Sequence, residues 1–118
     1  MPVKQTIEDY KNLIDVIASK TSFHKIILLE LLPINSSSFF VEKEKVNSLI
    51  QRFNAELRSI VKKDNSGKMF FIPLYDQFKD NRNYLNTTYT SDGIHLNQNG
   101  SNLLKENILS FLYNERVQ

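Results

Sequence analysis

The chain has 118 residues, 41% hydrophobic and 24% charged, which is the composition of one globular domain and not of a disordered segment. It contains no cysteine, which excludes disulfides, thiolate zinc sites and a cysteine nucleophile. The net charge of +2 comes from interspersed charges, so we expect no nucleic-acid partner. The longest apolar run is far shorter than the about 20 residues of a membrane span. The first residues also lack the apolar segment of a signal peptide, which predicts a cytoplasmic protein.

Helical and strand-like patterns alternate along the first half of the chain. A first helix is predicted to begin near Thr6, with one apolar face formed by residues at helical spacing: Ile7, Tyr10, Leu13, Ile14 and Ile17. The run KIILLELL, residues 25–32, is nearly continuous in apolar residues and predicts a strand buried on both faces. A stripe of apolar residues then predicts a second helix over residues 41–62.

The second half begins with another apolar run. The sequence MFFIPL, residues 69–74, predicts a second strand with Pro73 at its exit, because proline cannot donate to a strand ladder. Residues 75–91 are polar and without a clear period, which predicts a long loop. A last helix is predicted over residues 97–113, with Asn97 as its cap.

The order of these elements predicts the fold class. A helix between two buried strands is a βαβ unit, and such crossovers are right-handed in about 98% of cases. The order αβαβα therefore predicts an α/β fold, specifically a partial flavodoxin-like α/β/α unit with a small parallel sheet, in a single domain over residues 1–118. Glu30 interrupts the first strand, and we expect it to pair with a lysine or arginine because an unpaired buried charge is costly.

The most informative segment is TSDGIHLNQNG, residues 90–100. Asp92 and His95 are three residues apart around Gly93, which permits a tight turn with positive φ. A carboxylate that binds one ring nitrogen fixes the imidazole tautomer and leaves the other nitrogen as a general base. The segment also follows the second strand, at the end of the sheet where open α/β folds place their sites.

The spacing of this pair alone leaves alternatives open. An Asp-x-x-His sequence also occurs in surface turns that precede a helix. A metal-dependent hydrolase that uses Asp92, His95 and Asp76 as ligands is a further alternative, although no third ligand has a helical or hairpin spacing. We expect neither a metal nor another cofactor.

The wider segment DGIHLN, residues 92–97, followed by a glycine and an amphipathic helix, resembles the last conserved block of the SGNH (GDSL-type) hydrolases. The sequence LLPIN, residues 31–35, agrees with a strand and loop of the same family, and the resemblance extends over residues 26–111. It implies that His95 is the general base and Asp92 its orienting partner. It also implies carboxylic-ester substrates, such as lipids, acetylated carbohydrates or small acyl esters, and no cofactor.

The departures from the family pattern concern the nucleophile. The family places it in a Gly-Asp-Ser block near the N-terminus, and its oxyanion hole uses a Gly-x-Asn-Asp block. None of the three glycines here precedes Asp-Ser, and no Asn-Asp dipeptide occurs. The resemblance is therefore to the C-terminal part of the family only. Ser36, Ser37, Ser38 and Ser91 are possible substitutes, but no glycine-rich turn marks any of them.

Three functional hypotheses remain. The chain is the C-terminal portion of an ester or acyl hydrolase and has little activity alone, or it is a non-catalytic remnant or interaction module with the same fold, or it is a metal-dependent hydrolase. A sheet of two strands leaves an apolar edge open, and such an edge is a template for pairing. We therefore expect a homodimer that buries an exposed edge or face of the sheet.

Overall fold

The computed structural model describes residues 3–20, 25–36 and 42–115. Its regular elements, apart from one short 3₁₀ turn, are α1 (Val3–Lys20), β1 (Ile26–Leu29), α2 (Lys43–Lys63), β2 (Met69–Ile72), α3 (Tyr75–Phe78) and α4 (Gln98–Glu115). The two strands are parallel, with Ile26 opposite Met69 and Leu29 opposite Ile72. The predicted α/β class and the small parallel sheet are confirmed.

Both strands are shorter than the sequence predicts, because the ladder stops at a proline. The backbone N–H of Glu30 still donates to the Ile72 carbonyl, at 3.1 Å. Pro73 has no N–H, and beyond it a side chain replaces the neighbouring strand. Oε1 of Glu30 accepts hydrogen bonds from the backbone N–H groups of Leu74, at 2.9 Å, and Tyr75, at 2.7 Å.

Glu30 is buried and its charge is paired. Glu30 is 6% exposed, and its Oε2 lies 2.5 Å from Nη1 of Arg58 on α2. The predicted pairing of Glu30 with a basic residue is confirmed. The carboxylate thereby joins α2, β1 and the start of α3.

Two asparagines of α2 hold the segment that follows β1 in an extended conformation. Oδ1 of Asn54 accepts from the Leu31 N–H at 2.8 Å, and its Nδ2 donates to the Leu31 carbonyl at 2.9 Å. Asn47 makes the same pair of bonds to Ile34, at 2.8 and 2.9 Å. Asn47 and Asn54 are seven residues apart on the helix, and their partners Leu31 and Ile34 are three residues apart on the extended segment. Both separations are about 10 Å, so each asparagine lies opposite its partner. The segment is thus supported by a helix instead of a neighbouring strand.

The sheet separates two apolar clusters. The cluster on the side of α1 and α2 consists of Ile14, Leu28 and Leu57. The cluster on the side of α4 consists of Ile72, Leu74, Phe78 and Leu85. Side chains from both strands enter both clusters or pack against them, so the small sheet is shared by the two halves of the core.

The apolar face of α1 is covered only in part. Ile7 and Ile14 are buried, as their spacing predicts. Leu13 and Ile17, on the same apolar face, are 56% and 42% exposed. The described residues pack against one flank of α1 and leave the other at the surface.

The predicted loop over residues 75–91 contains regular structure. It begins with α3, and a 3₁₀ turn follows at Thr87–Tyr89. Phe78 and Leu85 are both 0% exposed and anchor the segment in the core. These elements are too short to show a period in the sequence. No helix within the described ranges is long and apolar enough to cross a membrane.

Candidate active site

The side chains of Asp92 and His95 are in direct contact. Nδ1 of His95 lies 2.7 Å from Oδ2 of Asp92. The other carboxylate oxygen, Oδ1, accepts from the backbone N–H groups of Ile94, at 2.8 Å, and His95, at 2.7 Å. The bond to the imidazole, followed by the two backbone N–H groups, lowers the pKa of Asp92 below its usual range. Asp92 is therefore ionised at neutral pH.

This geometry assigns the roles of the two ring nitrogens. An ionised carboxylate can only accept hydrogen bonds, so Nδ1 carries the hydrogen and the neutral ring keeps its free lone pair on Nε2. The His95 side chain is 82% exposed, so Nε2 is open to a reacting group. The pair has the geometry of a general base and its orienting carboxylate.

A buried threonine closes the turn that carries the pair. Gly93 adopts a φ of +85°, in the left-handed region that glycine occupies without strain. Oγ1 of Thr90 accepts from the Gly93 N–H at 2.9 Å and donates to the His95 carbonyl at 2.7 Å. The sequence does not predict this role of Thr90. The only signal for it is a short hydroxyl side chain just before a turn, where such groups often bind the backbone.

The turn is attached to the segment that follows β1. The backbone N–H of Asn35 donates to the Gly93 carbonyl at 2.7 Å. A Cβ at position 93 would lie 2.2 Å from the Asn35 carbonyl oxygen, so a side chain does not fit there. The Asn35 amide donates to the Leu85 carbonyl at 3.0 Å and accepts from Nζ of Lys43 at 3.0 Å. The Asp92–His95 turn therefore lies at the carboxyl end of the sheet.

The start of α4 fixes the other end of the turn. Oδ1 of Asn97 accepts from the Gly100 N–H at 2.9 Å, which confirms the predicted cap. The Asn97 N–H donates to the Tyr89 carbonyl at 2.9 Å, and a Cβ on Gly100 would lie 2.6 Å from the same oxygen. The turn is thus held between β1 and α4.

The structure does not join a serine to the pair. Within the described ranges the ring of His95 is hydrogen-bonded to Asp92, and neither Ser36 nor Ser91 is bonded to it. Ser37 and Ser38 lie outside the described residues. In the same described part of the chain, no three histidine or carboxylate side chains form a group that could hold a metal ion.

Solved structures share this fold. A protein of Streptococcus pneumoniae labelled as a candidate platelet activating factor is 24% identical, with a TM-score of 0.81 over 96% of this chain and 53% of that protein. A candidate acylhydrolase of Bacteroides fragilis is 21% identical, with a TM-score of 0.80 over 99% of this chain and 54% of the other. A GDSL-like lipase of Bacteroides thetaiotaomicron is 22% identical, with a TM-score of 0.80 over 97% and 54%. The chain thus spans about half the length of these proteins.

Comparison at the level of sequence gives the family. No curated protein matches the chain as a relative. The model of the GDSL-like lipase/acylhydrolase family matches residues 2–108, which is most of the chain and includes the Asp92–His95 turn. The SGNH (GDSL-type) resemblance predicted from the sequence is confirmed at this level. The chain belongs to the GDSL-like lipase/acylhydrolase family.

Proposed function

We propose that this chain carries the acid–base part of an ester or acyl hydrolase, with His95 as the general base and Asp92 as its orienting partner. The observation that supports this role is the 2.7 Å contact between Nδ1 and Oδ2, made while Oδ1 is held by two backbone N–H groups and the ring is exposed. Family membership supports carboxylic-ester substrates, whether lipids, acetylated carbohydrates or small acyl esters.

The chemistry follows from the free nitrogen. Nε2 of His95 takes the proton of a serine hydroxyl while the serine oxygen attacks the ester carbonyl, and it then returns the proton to the leaving alkoxide. Asp92 stabilises the imidazolium that exists between these steps. This chain contains no Gly-Asp-Ser block and no Asn-Asp dipeptide. We propose that the nucleophile and the oxyanion-hole donors come from a different polypeptide segment.

An assay of the purified 118-residue chain with a p-nitrophenyl ester tests this function. We expect little or no turnover, because each missing oxyanion donor costs about 10²–10³ in rate. Residual general-base hydrolysis, worth at most about 10²–10⁴, should disappear in His95→Ala and persist in His24→Ala, which removes the only other histidine.

A serine-directed fluorophosphonate provides the control for the nucleophile. The residual rate should not change when the chain is treated with it. Strong hydrolysis that the phosphonate abolishes would place a working serine inside this chain and contradict the proposal. A residual rate that survives His95→Ala would contradict the role of His95.

A non-catalytic interaction module with the same fold is the second candidate. Exposed apolar residues at the end of β1 and just after it favour this role: Leu29 and Leu31 are 40% and 42% exposed. In this role a second copy would cover the sheet edge and the chain would be a homodimer. Sedimentation at micromolar concentration decides this point, since a stable monomer would reject the homodimer.

A further inference from the structure

The strand β1 has one open edge. Among the described residues the sheet contains β1 and β2 only. The N–H groups of Ile26 and Glu30 donate to carbonyls at either end of β2. Because alternate residues of a strand direct their backbone groups to opposite sides, the N–H and C=O groups of Ile27 and Leu29 point away from β2. These groups can pair with an added strand.

An apolar groove of about 340 Å³ lies along this edge. Its walls include Tyr10 of α1, Leu49 and Phe53 of α2, and the two leucines that follow one another on the same side of the chain, Leu29 and Leu31. The three leucines are each 40–42% exposed. A strand that pairs with Ile27 and Leu29 would therefore also find an apolar surface for its side chains.

The position of the Asp92–His95 turn indicates the direction of that strand. The Asp92–His95 turn lies at the carboxyl end of the sheet, where Gly93 is bonded to Asn35. A strand added parallel to β1 has its following loop at the same end. A second copy related by a two-fold axis would pair β1 with β1 in the antiparallel sense and carry its own turn to the far end. Of these two occupants, only the parallel strand has the loop that follows it at the end of the sheet where His95 lies.

The contacts of Leu31 set where the added strand must leave the edge. Both backbone groups of Leu31 are bound to the Asn54 amide, so pairing along the edge ends at Leu29. Asn35, which holds the turn, lies four residues after Leu31, or about 13 Å of extended chain. A short loop that follows the added strand can span this distance.

We propose that the β1 edge and its groove bind a parallel strand of a GDSL-like segment that carries the serine nucleophile and the oxyanion donors. The inference rests on the proposed function. The lengths support it, because this chain covers only 53% and 54% of the solved proteins that share its fold. One partner of this kind would cover the exposed leucines and complete the site.

The test uses the part of the GDSL-like lipase of Bacteroides thetaiotaomicron that this chain does not cover. This fragment is produced separately and mixed with the full 118-residue chain. We expect a 1:1 complex in sedimentation. We also expect amide hydrogen exchange at Ile27 and Leu29 to slow by at least about tenfold, while exchange at Leu28 and Glu30, which already face β2, changes little.

Exposed leucines provide matched variants. Leu29→Lys and Leu31→Lys should abolish the complex, because a lysine ammonium would lie against the added strand. Leu109→Lys, at a leucine of α4 that is 53% exposed and outside the groove, should leave the complex intact. All three positions are exposed, so the circular dichroism of the variants should match that of the parent.

A fusion protein, in which the same fragment is joined in front of Met1 through a flexible linker, raises the effective concentration of the fragment to the millimolar range. Unchanged exchange at Ile27 and Leu29 in this fusion would overturn the proposal. A homodimer of the chain alone that Leu29→Lys dissociates would also overturn it. Slowed exchange without phosphonate-sensitive hydrolysis would support the surface and contradict the proposed function. Hydrolysis that persists in Leu29→Lys would support the function and contradict the surface.

Discussion

Asp92 uses its two carboxylate oxygens for different tasks. Oδ1 accepts two backbone N–H groups and shapes the turn, whereas Oδ2 orients the ring of His95. The replacement Asp92→Asn separates these tasks. An amide oxygen can still accept from the backbone, but the NH₂ group that would face Nδ1 cannot accept a hydrogen bond.

We expect Asp92→Asn to lower the free energy of unfolding at pH 5, and the loss to shrink as the pH falls below about 4. The pKa of Asp92 is lower in the folded chain than its ordinary value of 3.8. Its stabilising effect is therefore present above the unfolded pKa and is lost as the pH falls through the folded one. Urea unfolding between pH 7 and pH 2 measures the difference between parent and variant. Asp15→Asn, on the exposed side of α1, is the control, and a difference that is undiminished at pH 2 would contradict this assignment.

At the scale of elements, the turn and the segment after β1 meet backbone to backbone at Gly93. Gly93→Ala would place a Cβ 2.2 Å from the Asn35 carbonyl oxygen, at a φ of +85°. Gly67→Ala is a matched control, since Gly67 has a φ of +73° and no atom within 4 Å of the added Cβ. We expect Gly67→Ala to lose about 1 kcal/mol from the left-handed backbone alone, and Gly93→Ala to lose a further ~1–3 kcal/mol from the clash. Chemical denaturation measures both, and equal losses would show that the Asn35 contact does not constrain the turn.

The sequence predicts elements well where apolar residues pack at a regular spacing. It predicts them poorly where a polar side chain binds the backbone in place of a neighbouring strand. The apolar runs predict β1 and β2, and the block that contains Asp92 and His95 is recognisable because its residues are contiguous. Asn47 and Asn54 are polar residues, which an apolar pattern does not assign to the core, yet they are 4% and 1% exposed. Their partners lie 13 and 23 residues away along the chain, and no local pattern could indicate them.

At the scale of the whole molecule, the chain is flat. Its radius of gyration is 15.5 Å, against about 13.5 Å for a compact domain of this length, and its extents are 44 × 33 × 20 Å. The two apolar clusters lie on opposite sides of a sheet of two strands. Because both clusters use the same strands, we propose that the chain unfolds as one domain.

A series of leucine replacements tests whether the chain unfolds as one domain. Leu57→Ala and Leu85→Ala remove side chains that are 1% and 0% exposed on opposite sides of the sheet. Each should lower the free energy of unfolding by about 2–5 kcal/mol, and in each variant the residue-resolved amide exchange on both sides should accelerate together. Leu109→Ala, at a 53% exposed position, should change stability by less than about 0.5 kcal/mol. Acceleration confined to the mutated side would show two independent units.

The hydrogen bonds from the Asn47 and Asn54 side chains to the segment after β1 affect what a partner must contribute when it binds. They hold the path from β1 to Asn35, and hence the turn at Gly93, from the side of α2. The open edge of β1 contributes nothing to this support. The base and its carboxylate are therefore preorganised before anything covers that edge, and little of a partner's binding free energy would be lost in ordering them. Assembly would add a nucleophile to a site whose other members already have their working geometry.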